Sequence, residues 1–212
     1  MKTIELNKDW YVYQRDDAFS LVTSIPEDAV HTDIPYDAMF HEEQKADSLN
    51  GGRTGYFDGG VYYYQKDLVI PEEYAGCRLI LKAEGLLTKS FIYVNSALAA
   101  SNDFGYVSTL CDITDYVRPG SNPLLIVCKT DVYSSRWYCG AGILRPVYLY
   151  IGKDVYTEPD SFFSECEYLS SEGAMLRVHA MLRNDRPAAS VEDVTFIIQD
   201  GNETVLEETF QF

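Results

Sequence analysis

Positive charge is scarce in this 212-residue chain: 17 Lys and Arg stand against 33 Asp and Glu, a net charge of −16. That deficit argues against nucleic acid as a partner, because phosphates are held by cations that displace counterions. It argues against anionic membrane surfaces for the same reason. No run approaches 18 apolar residues, so no membrane-spanning helix is expected. The first ten residues, Met1-Lys-Thr-Ile-Glu-Leu-Asn-Lys-Asp-Trp10, hold no apolar core of a signal peptide. Five scattered cysteines (Cys77, Cys111, Cys128, Cys139, Cys166) contain no CxxC pair, which argues against both a zinc site and a disulfide framework. Reduced, mostly buried thiols in a cytoplasmic protein are the expectation.

Catalytic signatures are missing too. There is no GxSxG elbow, no HExxH and no P-loop. Gly140-Ala-Gly142 begins like a dinucleotide loop, but Arg145 stands where the third glycine belongs and no helix follows. His31, His41 and His179 lie far apart, and nothing singles out a Ser or Cys partner, so each is read as structural. Among 33 acidic residues the sequence nominates no catalytic pair.

What the chain does have is a pattern for strands. Apolar residues make up 46% of it and tyrosine occurs 17 times, a composition that fills a core and favours pleated over helical backbone. Strands are expected at 61–70, 78–84, 91–94, 97–99, 124–129 and 147–151, with turn signals between them. Asn95-Ser96 reads as a two-residue hairpin turn, since Asn tolerates positive φ. Tyr62, Tyr63 and Tyr64 must alternate faces and are read as core and surface packing. Short helical turns are expected at 71–74 and 113–117, and residues 36–60 form the longest irregular stretch. No dozen residues sustain a helical period, so the fold class is all-β.

The pattern breaks at Gly152–Asp160. Beyond it, strands are expected at 175–182, 194–199 and 204–212, the last two joined by Asp200-Gly201-Asn202. Residues 154–212 carry 3 basic and 13 acidic side chains, a net charge of −10. They are too few for the seven strands of an immunoglobulin sandwich, so a second domain looks truncated. Its open edges invite pairing with another copy, giving a homo-oligomer through residues 160–212, or else leave the segment poorly ordered.

Six segments, in order, resemble glycoside hydrolase family 2, the β-galactosidase and β-glucuronidase family. They are Ile34-Pro-Tyr-Asp37, Gly59-Gly60-Val-Tyr-Tyr-Tyr-Gln-Lys66, Glu84-Gly85, Phe91-Ile-Tyr-Val-Asn95, Asp112-Ile-Thr114 with Gly120 and Asn122, and Ser134-Ser-Arg-Trp-Tyr-Cys-Gly-Ala-Gly-Ile-Leu-Arg-Pro-Val147. The resemblance implies a jelly-roll (galactose-binding-like) sugar-binding domain over 1–153. A partial immunoglobulin-like β-sandwich would follow over 154–212. It implies no cofactor and no metal.

The family's two catalytic glutamates lie in a C-terminal (β/α)8 barrel of about 250 residues, which this chain cannot contain. No catalytic residue is therefore placed here. The expected role is that of a non-catalytic N-terminal region shaping the sugar pocket of that absent barrel, in an enzyme that hydrolyses O-glycosyl bonds in carbohydrate metabolism. The expected partners are a β-glycoside and the barrel itself. By alignment with the family, Arg136 sits where its loop touches the bound sugar, and five fixed donors suit a carboxylate or hydroxylated edge. An ion pair across a domain interface explains Arg136 equally well. Trp137 and Tyr138 would stack on a sugar face, or pack between domains. The alternative function is a free-standing carbohydrate-binding module without hydrolase activity.

Overall fold

The structure, a computed structural model, describes residues 1–15, 24–130, 140–189 and 191–212. The chain divides into two compact units, Met1–Lys153 and Asp154–Phe212. In the first unit the strands are β1 (Lys2–Glu5), β2 (Trp10–Arg15), β3 (Val30–Thr32), β4 (Tyr36–Asp37), β5 (Val61–Ile70), β6 (Arg78–Ala83) and β7 (Leu86–Leu87). They continue as β8 (Lys89–Val94), β9 (Ala97–Asn102), β10 (Thr109–Asp112), β11 (Gly120–Lys129), β12 (Gly142–Ile143) and β13 (Val147–Gly152). All pairings are antiparallel. The fold is all-β.

A four-stranded sheet in the order β1-β13-β6-β10 faces a six-stranded sheet in the order β3-β2-β5-β11-β8-β9. One core fills the space between them, with Trp10, Tyr64, Ile92 and Ile126 from the larger sheet against Leu81, Cys111, Val147 and Leu149 from the smaller. Trp10 is fully buried and satisfies its indole N–H on the Leu6 carbonyl at 2.6 Å. The tyrosine run on β5 obeys the two-residue period. Tyr62 and Tyr64 enter this core, while Tyr63 points the other way into a smaller cluster with Tyr13, Leu125 and Val127. The expected surface position does not exist, because a ladder of Tyr13, Tyr63, Val127 and Phe91 covers that face of the sheet.

The expected turn forms: Asn95 and Ser96 take φ of 49° and 67°, and Val94 pairs with Ala97. At this end Asn122 replaces missing backbone partners. Its buried amide N–H groups donate to the carbonyls of Leu68, Arg118 and Gly120, while its carbonyl accepts from the Arg118 N–H and the Asn95 side chain. Asn122→Ala should therefore cost about 2–3 kcal/mol in urea unfolding, since several buried polar groups lose their partners at once. A loss under about 0.5 kcal/mol, the scale of a neutral surface change, would show that water replaces the side chain.

On β6 both faces are buried: Leu79, Leu81 and Ala83 enter the core between the sheets, and Ile80 and Lys82 on the other face are buried too. The Lys82 ammonium is satisfied by Glu84 at 3.1 Å.

The second unit contains β14 (Val155–Thr157), β15 (Phe163–Leu169), β16 (Ala174–His179), β17 (Leu182–Asn184), β18 (Asp193–Asp200) and β19 (Glu203–Gln211). They pair only in twos, β14 with β17, β15 with β16 and β18 with β19. The strand expected over 175–182 breaks at Ala180-Met181 into β16 and β17. β15, unexpected from its charged sequence, is held to β16 by Arg177, which reaches both Glu165 and Glu167.

Candidate functional site

A third, three-stranded sheet in the order β4-β12-β7 joins the start of the 36–60 stretch to the residues that follow 131–139. Its strands are two residues long, so each needs help to hold its place. Asp37 supplies it. Its Oδ1 accepts from the Met39 N–H at 3.1 Å and from the Ala141 N–H at 3.0 Å, 104 residues away. Asp37 thus fixes its own turn and makes a long-range tie that sequence reading missed. Ala38 N–H donates to the Ala141 carbonyl at 2.9 Å.

Tyr64 completes the clasp from β5. Its hydroxyl donates to the Tyr36 carbonyl at 2.8 Å and accepts from the Ala38 N–H at 3.1 Å. Burial pushes its phenol well above the ordinary value, so the proton stays available for donation. Gly142 is required for contact this close. Its φ is +146°, and a Cβ there would lie 2.1 Å from the Tyr64 hydroxyl oxygen and 2.6 Å from the Tyr36 carbonyl oxygen. Gly140-Ala-Gly142 is therefore a strand clasp and not a phosphate loop.

The residue before 131–139 is also pinned. Thr130 exchanges two hydrogen bonds with Gly60: its N–H donates to the carbonyl at 3.0 Å, and its hydroxyl accepts from the N–H at 2.7 Å. Glu42, from the 36–60 loop, accepts from the Gly59 N–H at 3.3 Å and from the Tyr62 hydroxyl. Residues 36–60 are thus tied to both flanks of 131–139, at Thr130 and at Ala141.

Burial raises the Glu42 carboxyl above the usual carboxylate range, against the lowering by its Tyr62 and Gly59 hydrogen bonds. With the folded pKa above the unfolded one, stability is complete below the unfolded pKa and falls as pH rises through the folded pKa. Glu42→Gln should lack this slope. Denaturation midpoints between about pH 4 and 8 are expected to show the parent losing ground to the variant as pH rises through that window. A difference independent of pH would place Glu42 in water.

The 36–60 loop also presents a set of rings. The 3-10 turn Met39–His41 buries Met39 and turns Phe40 outward, 65% exposed. His41 stacks on Tyr36 with centroids 4.4 Å apart at 7°, and Phe40 meets His41 edge-on at 5.8 Å and 86°. Arg136, Trp137 and Tyr138, nominated from the sequence as sugar contacts, lie outside the described residues. Tyr64, Glu42 and Thr130 were not nominated, and no local signal marks them. Among the described residues no group of three or more His, Cys, Asp or Glu side chains is arranged to hold a metal.

No family model matches the chain. Among curated proteins, a putative β-glucuronidase of Formosa agariphila is 22% identical over 151 residues, which is 71% of this chain and 15% of that protein. The β-galactosidase BoGH2A of Bacteroides ovatus is 23% identical over 180 residues, 84% of this chain and 21% of that enzyme. Among solved structures, a glycosyl hydrolase family 2 member from Bacteroides cellulosilyticus superposes with a TM-score of 0.89 at 24% identity, covering 100% of this chain and 28% of that one. The resemblance to glycoside hydrolase family 2 stands. The all-β fold matches that structure along the length of this chain. The chain spans between 15% and 21% of the length of these two curated relatives.

Proposed function

We propose that this chain is the non-catalytic N-terminal region of a family 2 glycoside hydrolase. In this reading residues 1–153 are the sugar-binding jelly-roll domain and residues 154–212 begin an immunoglobulin-like sandwich. The substrate is a β-glycoside, with β-galactosides and β-glucuronides suggested by the relatives. The observation that carries the reading is the double clasp, Asp37 with Ala141 and Thr130 with Gly60. It fixes the described residues on either side of 131–139, the segment that bears Arg136, Trp137 and Tyr138, as a wall of a substrate pocket would require. Binding groups work when their geometry is set in advance by neighbouring structure.

Retaining hydrolysis needs two carboxyl groups about 5–5.5 Å apart, one acid and one nucleophile. The proposal puts both in a barrel contributed by further polypeptide. The test is an assay of the 212-residue chain on nitrophenyl β-galactoside, β-glucuronide and β-mannoside. No turnover is expected. Turnover that disappears when one of the chain's own acidic residues is replaced would overturn the proposal.

A further inference from the structure

We propose that Tyr36, His41 and Phe40 form a saccharide-contacting corner that takes a neutral pyranoside and disfavours a uronide. The inference rests on the glycosidase reading above and adds residues and a ligand class to it. The corner is built in advance. Met39 N–H is held by Asp37, His41 N–H by the Ala38 carbonyl at 3.2 Å, and Glu42 N–H by the Met39 carbonyl at 3.1 Å. The backbone beneath the rings is therefore fixed, and Tyr36 is anchored by pairing with Ile143.

The two ring planes meet almost at a right angle, 86° between Phe40 and His41. A pyranose can lay its C–H face on one ring while its hydroxyls reach the other. The His41 ring is exposed, so its nitrogens can be reached by a ligand. A neutral imidazole offers one donor and one acceptor, which matches a hydroxyl that both accepts and donates. Three rings also cover far less than the roughly 800 Å² per partner that a stable protein interface uses, so a small ligand fits the corner better than a docked domain.

Charge decides the ligand class. Glu42 and Glu43 directly follow His41, and Asp37 opens the turn. Residues 36–60 carry five acidic side chains against two cations, Lys45 and Arg53, and Lys45 is engaged by Asp58 at 2.8 Å. Residues 1–153 hold 14 basic and 20 acidic side chains, and that net charge of −6 opposes an approaching carboxylate.

The test uses the chain labelled with carbon-13 at histidine and titrated separately with methyl β-galactopyranoside and methyl β-glucuronide at fixed pH. Only three histidines are present, and His41→Gln assigns the signal by its loss. The His41 ring signals are expected to shift saturably with the galactoside. The response should fall at least fivefold in Phe40→Ala, and the uronide should bind at least fivefold more weakly. No shift at His41, a shift unchanged in Phe40→Ala, or equal or stronger uronide binding would each overturn the proposal. Turnover by the chain alone sinks the accessory reading without moving the His41 signal, so the two failures are distinguishable.

Discussion

Gly142→Ala is expected to destabilise the first unit by about 3–5 kcal/mol, from a Cβ forced into a closed core and a backbone angle that L residues avoid. The added carbon would lie 2.1 Å from the Tyr64 hydroxyl oxygen and 2.6 Å from the Tyr36 carbonyl oxygen at a φ of +146°. Neither neighbour yields easily. Tyr64 is fully buried and hydrogen-bonded, and Tyr36 is strand backbone paired with Ile143. Fluorescence of buried Trp10 during urea unfolding, in a Trp137→Phe background, gives the readout.

Tyr64→Phe alone should cost only about 1 kcal/mol, one hydrogen bond, because the Ala38 N–H keeps the Ala141 carbonyl. Combined with Gly142→Ala, it removes the nearest clash. The double variant is then expected to lose less than the sum of the two, the signature of residues in contact. A loss below about 1 kcal/mol for Gly142→Ala, less than a single strained residue is worth, would mean the clasp is loose and could not position the loop stem.

Limited proteolysis is expected to remove the second unit and leave residues 1–153 intact. Among the described residues of that unit, Tyr156 alone is a buried apolar side chain. A groove of about 760 Å³ opens among Leu176, Val178, Val194, Phe196, Ile198 and Phe210. Each of its ladders has two strands, and an isolated two-stranded hairpin is marginal in water. Hydrogen exchange in 154–212 should be complete while the amides of β5 and β11 are still protected.

A chain ending at Lys153 should match the first unit's unfolding free energy to within about 0.5 kcal/mol, since the described strands of the first unit are paired among themselves. Self-association through the open groove should grow with salt, which screens the net charge of −10 over about 10 Å at 0.1 M. Equal protease resistance of the two units would show that the second is stable alone.

The strand at Val61–Ile70, the Asn95-Ser96 turn and the break near Gly152 were legible because they are local. Alternation, turn residues and punctuation lie within a few positions of one another. β15 was not, because Glu165 and Glu167 hide its period and their partner Arg177 lies on another strand. β4, β7 and β12 were illegible for a simpler reason: two residues cannot display a period. The motif residues Asp112, Thr114 and Asn122 carried the family resemblance, yet they work as backbone partners at one end of the sandwich. A recurring motif marks such a structural need as readily as a site.

By itself the sequence determined the all-β class, the acidic surface, the division of the chain and the likeness to family 2. These follow from composition and from short-range patterns that survive without a fold. Only the tertiary structure decided that Asp37, Tyr64 and Gly142 form one clasp, that Glu42 joins a loop to a strand, and that His41 and Phe40 make a corner. The Asp37–Ala141 hydrogen bond among them joins residues 104 positions apart. No local pattern encodes them, because their partners become neighbours only when the two sheets close over a common core.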